Sequence, residues 1–170
     1  MKIRRVTLED LDELIRVGKQ TFTETFSSEN TEENMTEYLK KNFSVEKLKA
    51  ELTDKYSEFY FIETTDTPIG YLKINFEQSQ TEIKKDNTLE IERIYVLKAF
   101  QGRDFGQELY NKALEIAKVK GVEYVWLGVW EKNSRAIRFY KRNGFVEFDK
   151  HIFKLGNDEQ TDIMMKLKVE

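Results

Sequence analysis

Between Leu89-Glu-Ile-Glu-Arg-Ile-Tyr-Val96 and a segment with Leu109, Ala113, Ile116 and Ala117 at helical spacing lies Gln101-Gly-Arg-Asp-Phe-Gly106. The first run is rich in β-formers and predicts a strand; the second predicts a helix. A short glycine-bearing loop between them leaves the N–H groups at the helix start without acceptors. Together with the positive end of the helix dipole, these donors form an anion site, and a phosphate-bearing cofactor is its natural occupant. Two familiar phosphate loops do not fit. A P-loop needs Lys and then Ser or Thr after its second glycine, where this chain has Gln107 and Glu108. A dinucleotide fingerprint needs three spaced glycines in the first βα unit, and this loop has two, past mid-chain.

A second group lies downstream. Val122 to Trp130 is nearly all β-formers with little alternation, which predicts a strand buried on both faces. Asn133-Ser-Arg-Ala-Ile-Arg-Phe-Tyr-Lys-Arg-Asn-Gly-Phe145 follows it. Asn133 is a good N-cap, and Asn143-Gly144 a good stop, for a short helix on which positions 133 and 140 share a face.

The Gln-x-x-x-x-Gly loop after Tyr95-Val96, and the Asn-x-x-Ala-x-x-Phe-Tyr-x-x-x-Gly-Phe run, resemble motifs A and B of the GNAT family of N-acetyltransferases. The resemblance spans nearly the whole chain. It implies an α/β (α+β) acyl-CoA N-acyltransferase fold, with helices on both faces of a mixed, mostly antiparallel sheet. That sheet splays between two parallel strands, here 89–97 and 122–130. The implied cofactor is acetyl-CoA, its pyrophosphate on the N–H groups of Gln101, Gly102, Arg103, Asp104, Phe105 and Gly106, with Arg103 adding positive charge. Ile94, Tyr95 and Val96 would pair their backbone with the pantetheine arm, an N–H near Ile94 facing the thioester carbonyl. Asn133 and Ala136 match cofactor contacts, and Lys141 and Arg142 could reach the adenosine phosphates. Tyr140 matches the general acid that protonates the departing sulfur. A primary amine with a pKa near 10.4 is almost wholly protonated at neutral pH, so attack needs a base. Glu92 matches the position where some relatives carry a glutamate working through water, and Glu90 is its rival. One position departs from the pattern: Asp104 stands where motif A usually has glycine. Aspartate tolerates positive φ better than most residues, but it adds a negative charge beside an anion.

For the acceptor, Gln20 to Leu39 contains no Lys or Arg but has Glu24, Glu29, Glu32, Glu33 and Glu37. In the family this region forms the acceptor wall, so Glu24, Glu33 and Glu37 are the expected substrate contacts. An acidic wall suits a polycation, which it would attract electrostatically. Thr21-Phe-Thr-Glu-Thr-Phe26, Glu33-Asn-Met35, Glu90 to Tyr95, Leu127 to Asn133 and Asp158 to Asp162 resemble the PaiA-type polyamine N-acetyltransferases, a relationship that implies spermidine or spermine as acceptor. The alternatives are a different amine, such as a protein N-terminus, an amino acid or an antibiotic, or a CoA-binding regulatory protein of low turnover.

The elements that must position these residues fit one domain. A chain of 170 residues buries roughly two-thirds of its unfolded surface without covalent staples. With no cysteine and a single histidine, it offers neither a disulfide framework, a thiolate metal site nor a cysteine nucleophile, and His151 reads as a partly exposed strand residue. A formal charge of −3 argues against nucleic acid, and no apolar run reaches membrane-spanning length, so the expected location is the cytoplasm. The pattern predicts a strand at Lys2–Val6 and a helix opened by Thr7-Leu-Glu-Asp10, with Leu8, Leu11, Leu14, Ile15, Gly18 and Phe22 inward. Helices around Glu32–Lys41 and Ser44–Leu52 follow, then a hairpin of Phe59–Thr64 and Ile69–Phe76. Strands at Phe145–Phe153 and Thr161–Val169 close the chain, their apolar residues suited to a homodimer contact.

Overall fold

The computed structural model describes all residues, 1–170. The seven strands are β1 (Lys2–Arg5), β2 (Ser57–Thr64), β3 (Thr67–Phe76), β4 (Thr88–Val96), β5 (Tyr124–Trp130), β6 (Val146–Leu155) and β7 (Asp158–Lys168). Five α-helices join them: α1 (Leu11–Phe26), α2 (Glu32–Asn42), α3 (Val45–Thr53), α4 (Phe105–Lys120) and α5 (Ser134–Arg142). The strands form one sheet in the order β1-β2-β3-β4-β5-β7-β6. Every pairing is antiparallel except β4 with β5.

Alternation along the central strands sends side chains into two separate cores. Ile62, Leu72, Leu89, Ile91, Val125, Leu127 and Val129 pack with α4 and α5 on one face. Phe59, Phe61, Tyr71 and Trp130 pack with α1, α2 and α3 on the other. Burial on both sides explains why β5 reads as an uninterrupted apolar run. Gly18 of α1 permits a close approach, because a Cβ there would lie 2.6 Å from a Phe43 ring carbon.

The first helix differs in detail from expectation. Leu8 to Asp10 form a 3₁₀ turn, and the α-helix proper begins at Leu11. The Asp10 carboxylate accepts from the Thr7 N–H at 2.9 Å but also receives both terminal nitrogens of Arg4 at 2.9 Å. The turn is thereby pinned to β1, and Leu8 lies exposed rather than inward. Asn133 caps α5 as expected, its side-chain oxygen accepting from the Ala136 N–H at 3.2 Å. The edge strand β6 carries the exposed apolar residues Val146 and Ile152.

Candidate active site

The two parallel strands touch over only three residue pairs, Thr88 with Tyr124, Leu89 with Val125 and Glu90 with Trp126. Beyond them the strands part. The backbone phase on β4 is set by Leu97, whose N–H donates to the Ile69 carbonyl at 2.8 Å. Bonded and non-bonded pairs alternate along an antiparallel ladder, so Tyr95 faces β3 while the N–H and C=O of Ile94 and Val96 point into the gap. The Val96 carbonyl accepts from the Gln101 side chain at 3.0 Å, in keeping with that direction. On β5, the bond from the Glu131 N–H to the Thr161 carbonyl places the polar groups of Gly128 and Trp130 toward the same gap. Two strands therefore present backbone without a partner strand to one slot. The Val96 and Trp130 carbonyls are taken by Gln101 and the Asn133 N–H, and the remaining groups are arranged to accept an extended, amide-bearing ligand.

At the end of the slot stands the glycine loop. The first backbone bond of α4 runs from the Glu108 N–H to the Asp104 carbonyl, and the preceding N–H groups from Gly102 to Gln107 find no acceptor in the chain. Gly102 needs its glycine for a φ of 79°. Gly106 has no such need, and a Cβ there would meet nothing within 4 Å. Neither backbone conformation nor packing within the chain requires glycine at 106, and its lack of a side chain leaves the backbone open on the cavity side. Arg135 donates to the Gln101 side chain at 2.7 Å and ties the loop to α5. A cavity of about 740 Å³ runs from this loop through the slot to the α1–α3 side of the sheet.

The floor of the cavity on that side is ionic. The register shift between β3 and β4 inserts Glu92 as an extra residue, with Lys73 opposite Arg93 and Ile74 opposite Ile91. The bulge turns both Glu92 and Arg93 toward α3. Lys73 Nζ contacts the Glu92 carboxylate and lies 2.7 Å from Glu51 on α3, while Arg93 lies 3.0 Å from Glu51. Asn75 donates to both Glu90 and Glu92 at 2.9 Å. Burial alone would raise the pKa of Glu92. The Arg93 and Lys73 charges and the bonds from Lys73 and Asn75 outweigh it and hold the carboxyl at about 2. Glu90 moves the other way: burial raises its pKa, the neighbouring Glu92 adds to the rise, and bonds from Thr81 and Asn75 only moderate it.

Above this floor, Phe22, Phe26, Tyr38, Trp130 and Phe153 form an aromatic wall. On the opposite face of the sheet Tyr140 is packed edge-on against Phe139 and Phe145 and reaches the cavity. Burial, with a smaller contribution from Tyr110, pushes its pKa well above the ordinary tyrosine value, so its hydroxyl keeps its proton at neutral pH.

Residues 19–145 match the family model described as the acetyltransferase (GNAT) family. The chain belongs to the GNAT family. It is 40% identical over 166 residues to an uncharacterized N-acetyltransferase of Lactobacillus delbrueckii subsp. lactis, covering 98% of this chain and 96% of that one. It is 26% identical to the spermidine N(1)-acetyltransferase of Thermoplasma acidophilum over 100% of this chain and 98% of that one. In three dimensions it resembles the PaiA N-acetyltransferase of Thermoplasma acidophilum, crystallised with coenzyme A, with a TM-score of 0.81 and 98% of both chains covered. The anion loop and the slot between the parted strands fit acetyl-CoA, the cofactor of this acetyltransferase.

Sequence positions expected to hold the cofactor divide into two groups. Ile94, Tyr95, Val96, Gln101, Gly102, Phe105, Gly106, Asn133, Ala136 and Tyr140 line the cavity. Arg103, Asp104, Lys141 and Arg142 do not: Arg103 stacks over Phe100, Arg142 over Phe139, and Lys141 pairs with Glu147 at 3.2 Å. Arg135 takes the place at the loop expected of Arg103, and nothing in its spacing marked it. On the acceptor side, Glu24 lines the cavity but accepts from the Lys98 N–H at 3.1 Å. Glu33 and Glu37 lie outside the cavity, on the part of α2 that faces away from it. Of the acidic segment only Glu24 and Glu29 line the cavity; its other carboxylates are Glu82, Glu90, Glu92 and Asp162, spread over two strands and a loop. Glu92, expected as the base, is held by two cations with its pKa near 2, a poor proton acceptor.

Asp104 adopts φ 63°, ψ 7°, the left-handed conformation that the family's glycine would provide. Its side chain makes no capping bond. Asp104→Gly is therefore expected to tighten coenzyme A by removing a like charge and the cost of the left-handed backbone. Calorimetry on Asp104→Asn separates the two: asparagine keeps the size and tolerates the backbone, so whatever tightening it recovers is electrostatic. Looser binding by Asp104→Gly would show that the carboxylate aids the loop.

Proposed function

We propose that this acetyltransferase transfers acetyl from acetyl-CoA to a primary amine of a polyamine, spermidine or spermine, by direct attack in a ternary complex. The observation that carries the reading is the change of character along one cavity. Arg135 stands at the anion loop, Lys98 and Lys132 are accompanied by Glu24 and Glu29, and Glu82, Glu90, Glu92 and Asp162, with Arg93 as the one cation among them, gather where β4 and β5 part. Between those carboxylates the wall is aromatic, which suits methylene segments and attracts ammonium groups by cation–π contact. A polyamine alternates the same two features. The spermidine acetyltransferase of Thermoplasma acidophilum, similar over the full chain, supports the same acceptor class.

Acetyl-CoA supplies the acetyl group as a thioester. The loop N–H groups hold its phosphates, and the Ile94 N–H, pointing into the slot, is the donor for the carbonyl oxygen as charge develops there. Tyr140, protonated and on the face opposite the ionic floor, gives its proton to the departing sulfur.

Turnover of acetyl-CoA against spermidine, spermine, butylamine and a peptide N-terminus tests this reading. The polyamines are expected to exceed butylamine in kcat/KM by about tenfold or more, and their advantage to shrink with added salt. Equal rates for butylamine and spermidine would remove the polyamine assignment and leave the acetyltransferase activity.

A further inference from the structure

The base for the amine is not supplied by the carboxylates of the floor. Glu92 is bound to Lys73 and Arg93. Glu90 accepts from Asn75 at 2.9 Å, from the Thr81 N–H at 2.8 Å and from the Thr81 hydroxyl at 2.6 Å, so its oxygens are occupied. A histidine stands at the parting of the strands, beside Glu82 and Asp162. His151 of β6 lines the cavity, its side chain about a quarter exposed at 26%. Its Cε1 lies 3.4 Å from where a Cβ on Gly128 would be, and Asp162 Oδ2 lies 3.5 Å from the same point. Gly128 is two residues beyond Trp126, the last β5 residue paired with β4. By that register His151 stands level with Glu92, where the gap opens. Its face is the one carrying Trp130 and Phe153, opposite the core that holds Tyr140.

We propose that His151 is the proton acceptor for the attacking amine, oriented by Asp162 and approached through Glu82. The inference rests on the amine-acetylation reading above. Asp162 sits opposite His151 in the β6–β7 register, with Oδ2 3.4 Å from Nε2. It is the fixed partner, as a carboxylate that holds the ring and stabilises the imidazolium once formed. Glu82 Oε1 lies 3.0 Å from Nδ1, and of the three side chains Glu82 is the most exposed and is carried by the loop between β3 and β4. Nδ1 is itself shielded from solvent with Glu82 across it, so an ammonium bonds Glu82 first and reaches Nδ1 only as that exposed carboxylate moves aside with it. These two carboxylates are the charged groups that face the ring; β5 presents only Gly128 there, and Lys150 and Ile152 alternate to the other face of β6.

The proton count closes. The ammonium gives one proton to Nδ1, and the freed lone pair forms the C–N bond to the thioester carbon. The C–S bond breaks with its electron pair on sulfur, which takes a proton from Tyr140. The amide nitrogen sheds its second proton, which restores Tyr140 through solvent, and His151 releases the first. One proton leaves for each acetyl transferred.

The test is the pH dependence of kcat and kcat/KM for spermidine in wild type, His151→Gln and Asp162→Asn, with coenzyme A binding followed by calorimetry. In His151→Gln, kcat at neutral pH is expected to fall by about 10²-fold or more with unchanged coenzyme A affinity. Its rate should climb with pH in step with the free amine, so that the wild-type acidic limb is replaced by a rise that continues toward the pKa of the amine itself. Asp162→Asn should lower kcat less and keep that limb in shifted form. A His151→Gln enzyme with wild-type kcat and an intact acidic limb overturns the proposal while wild-type turnover of spermidine keeps the function. A change in KM alone overturns it too, because it assigns His151 to binding. A wild type that acetylates no amine overturns both.

Discussion

Tyr140→Phe is expected to reduce kcat by roughly 10²-fold or more while leaving the fold and coenzyme A affinity unchanged. The ring is held by edge-on contacts with Phe139 and Phe145, 5.4 and 5.6 Å between centroids, and phenylalanine keeps both. No protein group bonds to the Tyr140 hydroxyl, so its removal leaves no buried partner unsatisfied. What is lost is a proton donor that burial keeps protonated across the neutral range. The measurement is single-turnover acetylation with an acceptor, alongside thermal unfolding. An unchanged chemical step would make Tyr140 a packing residue. A large drop in melting temperature would show that the hydroxyl has a structural partner.

Lys73→Met should have the largest effect on stability. Lys73 is only 7% exposed in its side chain and holds Glu51 and Glu92 at once. Its loss leaves Arg93 alone between two buried carboxylates, and breaking a buried ion network from one side costs about 3–5 kcal/mol. For a chain of this size that lowers the melting temperature by about 10 °C or more. The sign with pH is fixed by Glu92, whose folded pKa of about 2 lies below its ordinary 4.5. Its stabilisation is complete above pH 4.5 and is lost as pH falls toward 2. The deficit of Lys73→Met should therefore be full at neutral pH and narrow below pH 4.5. Lys73→Met with Glu51→Leu restores charge balance and should recover a large part of it. A deficit that does not change between pH 7 and pH 3 would mean that lost packing against Phe59, rather than charge, carries the effect.

The cofactor side of the site was legible in the sequence because its determinants are local. A strand, a loop with glycine at its corners, and a helix occupy one continuous segment, and Asn133 and Gly144 mark the ends of α5 by capping chemistry alone. Even the departure at Asp104 could be reasoned through, since aspartate takes the left-handed backbone that the loop needs. The acceptor side was not legible, because it is assembled by register. A single extra residue at the β4 bulge places Glu92 and Arg93 on one face, where strict alternation separates them. Glu33 and Glu37 share a stretch of sequence with Glu24 but belong to a helix that turns them away from the cavity. His151, Asp162 and Glu82 meet only because β6 pairs with β7 and the loop before β4 folds over β5. Nothing in the spacing of three residues so far apart in the chain announces that meeting.

The brief pairing of β4 with β5 has a further consequence, for the protein's slowest motions. A central strand ordinarily carries the most protected amides of a sheet, exchanging with solvent only on global opening. Here the amides of Ile94, Val96, Gly128 and Trp130 lie mid-sheet yet have no neighbouring strand on the slot side. In the free protein they are expected to exchange as loop amides do, while Tyr95 and Val129, one residue away, should remain protected by β3 and β7. The sheet is two half-sheets joined by a three-rung seam, and a ligand lying in the slot supplies the missing strand. Binding is thus recorded as protection at alternate residues along two strands, a footprint that distinguishes occupancy of the slot from attachment at the anion loop alone.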